Sequence, residues 1–173
     1  MTARPLLLIA ASCLWLFVPV VQAQEHAQEP RVDRIEVIEA GFFVYEAAST
    51  RTDSPQSVEG VLVTPKNMRF LTETPAVTAK VGVSFGVRFL TVGEPRNAPV
   101  RLHTVWKIPP PGMTNPQNGR TYHESASDVT TRIGTGYLSG YGFDNQWEAV
   151  LGVWLLQVWQ GNRKLLEHSF TIR

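Results

Sequence analysis

The clearest alternation of apolar and polar residues lies in the middle of the chain. Val81, Val83, Phe85, Val87 and Phe89 occupy one set of alternate positions, and Gly, Ser and Arg residues occupy the other. A period of two predicts a β-strand with one buried face. The glycines in the other set leave the second face flat, so that a backbone or an aromatic ring can approach it closely.

Similar runs lie on both sides of this strand. Residues 100–108 alternate in the same way and predict the next strand. Residues 34–45 predict an earlier strand, and the break in its phase near Gly41 indicates a bulge or bend. Residues 60–64 predict a short edge strand.

Other stretches predict loops or weaker strands. The polar residues 49–57, which include a proline, predict a turn-like loop, and the proline-rich residues 109–119 predict a long exposed loop. Residues 122–133 are polar and ambiguous, with a solvent-facing strand as one interpretation. Between residues 134 and 143, glycines interleave with aromatic residues, which indicates a twisted strand near a sheet edge.

The last thirty residues give the strongest prediction of β structure. Residues 143–172 contain three of the five tryptophans and two apolar runs on either side of a Gly161-Asn162 turn. This pattern predicts a β-hairpin at the centre of the core. The strand from Val153 to Trp159 is apolar on both faces, so we expect either a sheet covered twice or one face exposed to a partner.

Together these runs predict seven to nine short strands and no helix of a dozen residues. The predicted fold class is therefore all-β, an immunoglobulin-like antiparallel β-sandwich in a single domain over residues 34–173. The one cysteine is Cys13, so no disulfide is expected. Only the architecture is predicted, because true immunoglobulin domains have a cysteine pair.

The N-terminus predicts export. Arg4 precedes an apolar run from Leu6 to Val21, and Val21-Gln22-Ala23 offers a cleavage site. We expect residues 1–23 to be a signal peptide, residues 24–33 a flexible tail, and the protein periplasmic or secreted, with no membrane insertion after cleavage. An uncleaved N-terminal anchor is the alternative.

Charge narrows the classes of partner. Loss of Arg4 reduces the 16 basic residues to 15, equal to the 15 acidic ones, and no basic stripe is present. This balance argues against a nucleic-acid partner. No sequence pattern calls for a cofactor.

Several short motifs in order resemble one family of exported bacterial proteins catalogued as a domain of unknown function. They are Gly41-Phe42 with Tyr45, Thr74 with Gly82-x-x-Phe85-Gly86, Asn115-Pro116-x-x-Gly119, Phe143-Asp144-x-x-Trp147-Glu148, Gly152-x-Trp154, and Gly161 with Lys164-Leu165. The resemblance covers nearly the whole exported chain. It supports the predicted fold, and it implies no catalytic residue.

Polar candidates for chemistry are few. Asp144 and Glu148 form a carboxylate pair of the kind used in glycoside hydrolysis, but a structural role at a turn is the stronger interpretation. Ser139 lacks the surroundings of a nucleophile elbow. His26 would be the third residue after cleavage at Ala23, where the amine, two backbone nitrogens and the imidazole suit copper(II) or nickel(II). Because neither the carboxylate pair nor the serine provides a convincing catalytic pattern, we expect no enzyme activity.

Aromatic residues are the better candidates for binding. Five of them form the predicted ligand-binding set: Tyr137, Tyr141, Trp147, Trp154 and Trp159. The leading hypothesis is a non-catalytic envelope module that binds a protein or assembles with itself, through an aromatic face or an unpaired edge strand. The alternative is polysaccharide binding by stacking on Tyr137, Tyr141 and Trp147. Envelope metal handling through His26 is a third hypothesis, and packing of these rings in the core is the simplest structural account.

Overall fold

The computed structural model of the chain describes residues 29–173 and, for residues 47–49, the backbone alone. This part of the chain folds into thirteen β-strands and one short 3₁₀ turn, Gln146–Glu148. The strands are β1 Arg31–Val44, β2 Ala47–Asp53, β3 Val61–Lys66, β4 Arg69–Glu73, β5 Ala76–Val77, β6 Ser84–Glu94, β7 Pro99–Lys107, β8 Met113–Thr114, β9 Thr121–Tyr122, β10 Glu124–Arg132, β11 Gly136–Gly142, β12 Gly152–Gln160 and β13 Arg163–Ile172.

Nine strands form the two main sheets of a sandwich. We name the sheet with the order β11-β6-β1-β4 the four-stranded sheet, and the sheet with the order β10-β7-β12-β13-β5 the five-stranded sheet. All their strand pairs are antiparallel except β13 with β5. The pairs β2–β3 and β8–β9 are separate two-stranded sheets. The predicted all-β, immunoglobulin-like sandwich is confirmed.

The core joins the two sheets through aromatic side chains. Phe85 on β6 is fully buried, and its ring contacts rings from three strands of the other sheet, with centroid distances of 5.3 Å to Trp106, 6.0 Å to Trp154 and 5.1 Å to Phe170. Two of these contacts are edge-on and nearly perpendicular, the geometry that aromatic quadrupoles favour. The alternation predicted for residues 81–89 therefore supplies the residue at the centre of the core.

The predicted closing hairpin is present as β12 and β13. Trp154, Leu156 and Val158 are fully buried on its inner face. On the outer face Val153 is 53% exposed, so β12 lies in a sheet that is covered on one side only in the described chain. A sheet covered on both sides is therefore not found in the described chain, and exposure of the outer face to a partner stays a prediction.

Three local predictions are wrong. The strand β2 occupies most of the stretch predicted as a polar loop, because it pairs with β3, a partner that local composition does not show. Met113, in the predicted exposed loop, is fully buried and belongs to β8. The predicted flexible tail extends too far, since β1 begins at Arg31 and Val32 is fully buried beside β6.

The predicted signal peptide, its cleavage site and His26 lie outside the described residues. Residues 29–173 include no helix that is long and apolar enough to cross a membrane.

Candidate functional site

A cleft lies on the side of the sandwich where β11 and β10 form the outer strands of the two sheets. Its volume is about 330 Å³. One wall is β11, from Gly136 to Gly142, and the opposite wall is the segment from Ser57 to Met68, which includes β3. We call the β2–β3 hairpin with its connecting loop the arm. The cleft therefore runs between the outer edge of a main sheet and the arm.

The arm covers one neighbouring strand edge and leaves the other uncovered. The N–H of Ala126 on β10 donates to the carbonyl of Gln56 in the arm at 3.1 Å, and the N–H of Val58 donates to Ser125 Oγ at 3.2 Å. A hydrogen bond also connects Ser54 Oγ and Ser127 Oγ, which lie 2.9 Å apart. In the described chain β11 has a ladder with β6 alone. The backbone of β11 thus has hydrogen-bonding capacity on the cleft side.

The register of β11 identifies which residues supply that capacity. The N–H of Phe143 donates to the carbonyl of Val83 at 3.0 Å, next to the ladder that pairs Tyr141 with Phe85. Hydrogen-bonded pairs alternate along an antiparallel ladder, so the odd-numbered residues of β11 direct their backbone groups toward β6. The even-numbered residues direct theirs into the cleft: Gly136, Leu138, Gly140 and Gly142.

A row of glycines leaves room for an aromatic ring on one face of the four-stranded sheet. Gly41, Gly86 and Gly140 lie opposite one another in three adjacent strands. The ring of Phe43 lies over this row, and a Cβ on Gly140 would be 2.7 Å from Phe43 Cζ. The flat face predicted from the glycine pattern is therefore covered by an aromatic ring at this point.

The inner wall of the cleft is rich in hydroxyl groups. Ser139 from β11 faces inward with Tyr137 and Tyr141, and Thr104 and Ser127 approach from the other sheet. Burial raises the pKa of Tyr137 to about 12, and burial together with nearby carboxylates raises the pKa of Tyr141 further. Both phenols are therefore neutral at physiological pH and act as hydrogen-bonding groups rather than as bases.

One end of the cleft is acidic. The fully buried carboxylate of Glu148 accepts hydrogen bonds from the N–H of Asp144 at 2.8 Å and from Asn145 Nδ2 at 2.7 Å. This arrangement supports the 3₁₀ turn and leaves Glu148 no access to a substrate. Asp144 and Glu59 line the cleft itself. Partial desolvation raises the pKa of Glu59, and the charges of Asp144 and Glu148 raise it further, against a smaller opposite effect of Arg51.

The five predicted binding aromatics do not form one platform. Tyr137 and Tyr141 line the cleft, but Tyr141 packs on Trp154 with ring centroids 5.0 Å apart and tilted planes. Trp154 is fully buried, and its Nε1–H donates to the carbonyl of Val150 at 2.8 Å, so its prediction as a ligand-binding residue is wrong. A ring packed in the core is not accessible to a ligand.

The other two tryptophans lie away from the cleft lining. Trp147, in the 3₁₀ turn, packs partly buried against the core. Trp159 is on the outer face of β12, where Lys164 Nζ lies 5.9 Å from its ring centroid. The hypothesis of a flat stacking surface formed by Tyr137, Tyr141 and Trp147 therefore receives no support from their placement.

Sequence reasoning missed the arm. Val58 is buried in the core although it lies in a polar stretch, and Glu59 follows it into the cleft. The signal that could have shown this is the single apolar residue within the polar segment. Residues 29–173 contain no cluster of three or more side chains suited to hold a metal ion.

Two packed sheets without a cysteine pair define this protein as an immunoglobulin-like β-sandwich. The chain belongs to the family described as "Domain of unknown function (DUF3859)", whose model matches residues 31–172. It is also similar to an immunoglobulin-like protein from Pseudomonas aeruginosa of known crystal structure, with 26% identity and a TM-score of 0.54 over 84% of this chain and 97% of that chain. Among the curated proteins, none matches. The predicted family resemblance is confirmed.

Proposed function

We propose that the protein is a non-catalytic binding module of the cell envelope that takes an extended segment of another protein into the cleft. The segment adds as a strand along β11. The observation that carries this proposal is the accessible edge of β11. Its four outward-facing backbone positions are, in order, Gly136, Leu138, Gly140 and Gly142. Strand addition derives its affinity from main-chain hydrogen bonds, which such an edge supplies.

The position of the arm supports the same function. β3 lies across the cleft from β11 and is the end strand of its own small sheet. A segment bound along β11 would therefore be enclosed on its far side rather than left on an open surface. Enclosure excludes water from the new hydrogen bonds, which strengthens them.

An envelope location for this function rests on the N-terminal sequence. The apolar run that ends at Val21-Gln22-Ala23 supports export. Mass spectrometry of the protein produced from its full sequence tests it, because processing would give an N-terminus at Gln24. The same spectrum tests the His26 metal hypothesis, since cyclisation of Gln24 to pyroglutamate would remove the amine ligand.

A display library of random twelve-residue peptides, selected on the protein, tests strand addition. We expect binders that protect the amides of Leu138 and Gly140 from hydrogen exchange, because those N–H groups face the cleft. Leu138→Pro removes one outward donor and leaves the ladder with β6 intact, and edge strands accept proline at such positions. We expect this variant to weaken peptide binding about tenfold, since one lost main-chain hydrogen bond is worth about 1 kcal/mol and the proline ring adds a steric block.

The matched control is Leu71→Pro on β4, the other outer strand of the same sheet. Leu71 is 52% exposed and lies at a register shift, so it has no partner in the β1–β4 pairing. We expect it to leave peptide binding unchanged. Recovery of no binders, or equal loss of binding in the two variants, would contradict strand addition at β11.

Light scattering distinguishes a separate partner from a second copy of the chain. If the segment comes from a second copy, the mass will rise above that of a monomer at high concentration and fall back in Leu138→Pro. A monomer at every concentration excludes self-assembly through this edge and leaves a separate partner.

A further inference from the structure

The charged groups of the cleft all have one sign. Glu59 and Asp144 are the acidic residues in its lining, and no lysine, arginine or histidine contributes to the lining among the described residues. Both carboxylates lie toward the end of β11 that leads to Gly142 and the 3₁₀ turn. The cleft therefore has an acidic end and a neutral remainder.

Neither of these two carboxylates forms an ion pair in the described chain, and the nearby charge of Arg51 on β2 only partly opposes the rise in the pKa of Glu59. The charges instead act on each other, since Asp144 and the buried Glu148 both raise the pKa of Glu59. Like charges held together at a partly desolvated site favour the arrival of a cation.

The remaining walls indicate how a bound segment would be arranged. Successive side chains of a strand point to opposite faces. On one face of β11 the cleft offers the apolar groups of Phe43, Met68 and Leu138, and on the other it offers the hydroxyls of Ser127 and Ser139. An extended segment with an apolar residue and a small polar residue at alternate positions matches both faces.

We propose that the bound segment carries a lysine or arginine at the end that lies beside Glu59 and Asp144. This inference rests on the proposed function and specifies the chemistry of the partner: an extended peptide with alternating apolar and small polar residues and a terminal basic side chain. The basic group sits between the two carboxylates, and the main chain pairs with β11. Electrostatic complementarity of this kind sets the register and the choice of partner.

A comparison of selected peptides tests this inference. Random twelve-residue peptides that bind the protein should be enriched in lysine or arginine at one position relative to the unselected library. A peptide from that set is then synthesised in two forms, with lysine or with the uncharged isostere norleucine at the enriched position. We expect the lysine form to bind about threefold to tenfold more tightly, within the usual range for partly exposed charge pairs.

A mutant cycle locates the effect at the acidic end. The double variant Glu59→Gln with Asp144→Asn should lower the affinity for the lysine form to that for the norleucine form, and should leave the norleucine affinity unchanged. Glu73→Gln, on the exposed far edge of the same sheet, is the matched control and should change neither affinity. Higher salt should weaken only the lysine form on the unsubstituted protein, because salt screens exposed charge pairs.

The outcomes separate the two proposals. Peptides that bind along β11 without basic enrichment, or whose lysine preference survives the double variant, would overturn the inference and leave strand addition standing. Binders unaffected by Leu138→Pro, or the recovery of no binders, would overturn strand addition and this inference with it.

Discussion

The closing hairpin and the cleft are both built from antiparallel strands, but the hairpin packs into the core and the cleft leaves a strand edge open. On the inner face of β12, Trp154, Leu156 and Val158 are fully buried. On β11, glycines replace large side chains at alternate positions, and the strand ends its sheet. The apolar residues of the hairpin pack in the core, whereas β11 retains backbone hydrogen-bonding capacity and open space beside it.

The difference shows how a sandwich without a disulfide supports an open edge. Burial of large aromatic side chains is the main source of stability in such a domain. The rings of Phe85, Trp106, Trp154 and Phe170 provide it between the two sheets, and of these four only Trp106 also lines the cleft. A cleft lined by hydroxyls and glycines adds less to stability. Substitutions in the two regions should therefore differ in the size and the kind of their effects.

The largest expected effect comes from Trp154→Ala. Loss of this buried ring should lower the free energy of unfolding by about 3–5 kcal/mol, the usual range for a large core aromatic. Trp159→Ala, on the partly exposed outer face of the same strand, should cost less than about 1 kcal/mol. Urea denaturation of both variants measures the difference. Equal losses would show that the outer face of β12 is as important for stability as the core.

A smaller effect is expected from Gly140→Ala at the edge of the cleft. The new Cβ would approach Phe43 Cζ to 2.7 Å, and Phe43 is buried against Phe70. We expect a loss of about 1–3 kcal/mol, as for other overpacked sites. Gly136→Ala is the control, since its Cβ would meet only the carbonyl oxygen of Phe89 at 4.0 Å. Thermal unfolding that leaves Gly140→Ala as stable as Gly136→Ala would contradict the close contact.

The smallest effect concerns Glu59 and depends on pH. Its pKa is raised in the folded protein, so its charged form costs stability above that pKa, and the cost disappears as the pH falls below its ordinary value of 4.5. Glu59→Gln should therefore stabilise the protein slightly at pH 7 and leave it unchanged near pH 4. Denaturation curves at the two pH values measure this difference. A variant that is less stable at pH 7 would show that the carboxylate has a favourable partner.

Much of the architecture could be predicted because its signals are local. Alternation from Phe85 to Phe89 and from Val100 to Trp106 marked two strands and their buried faces, and the Gly161-Asn162 turn marked the closing hairpin. The glycines between residues 136 and 142 correctly indicated an outer strand. The resemblance of motifs spread over the chain indicated the family for the same reason, since each motif is a short run of residues.

The site could be predicted only in part. Tyr137, Tyr141 and Asp144 were all singled out, and all three line the cleft. One error was the prediction of Trp154 as a ligand-binding residue, because alternation places it on a strand without showing which face is covered. The other was the arm, which was not predicted. β2 is polar, and it forms because β3 pairs with it and because Val58 anchors the connecting loop in the core.

The sequence alone therefore determined the strand-forming segments, their turns and the apolar faces, because these follow from the period of side chains along a single segment. Tertiary structure decided which faces became covered and which edge stayed open. It also joined Glu59 from the arm to Asp144 beside the 3₁₀ turn at one end of the cleft. These are contacts between segments far apart in the chain, and no local pattern of residues encodes them.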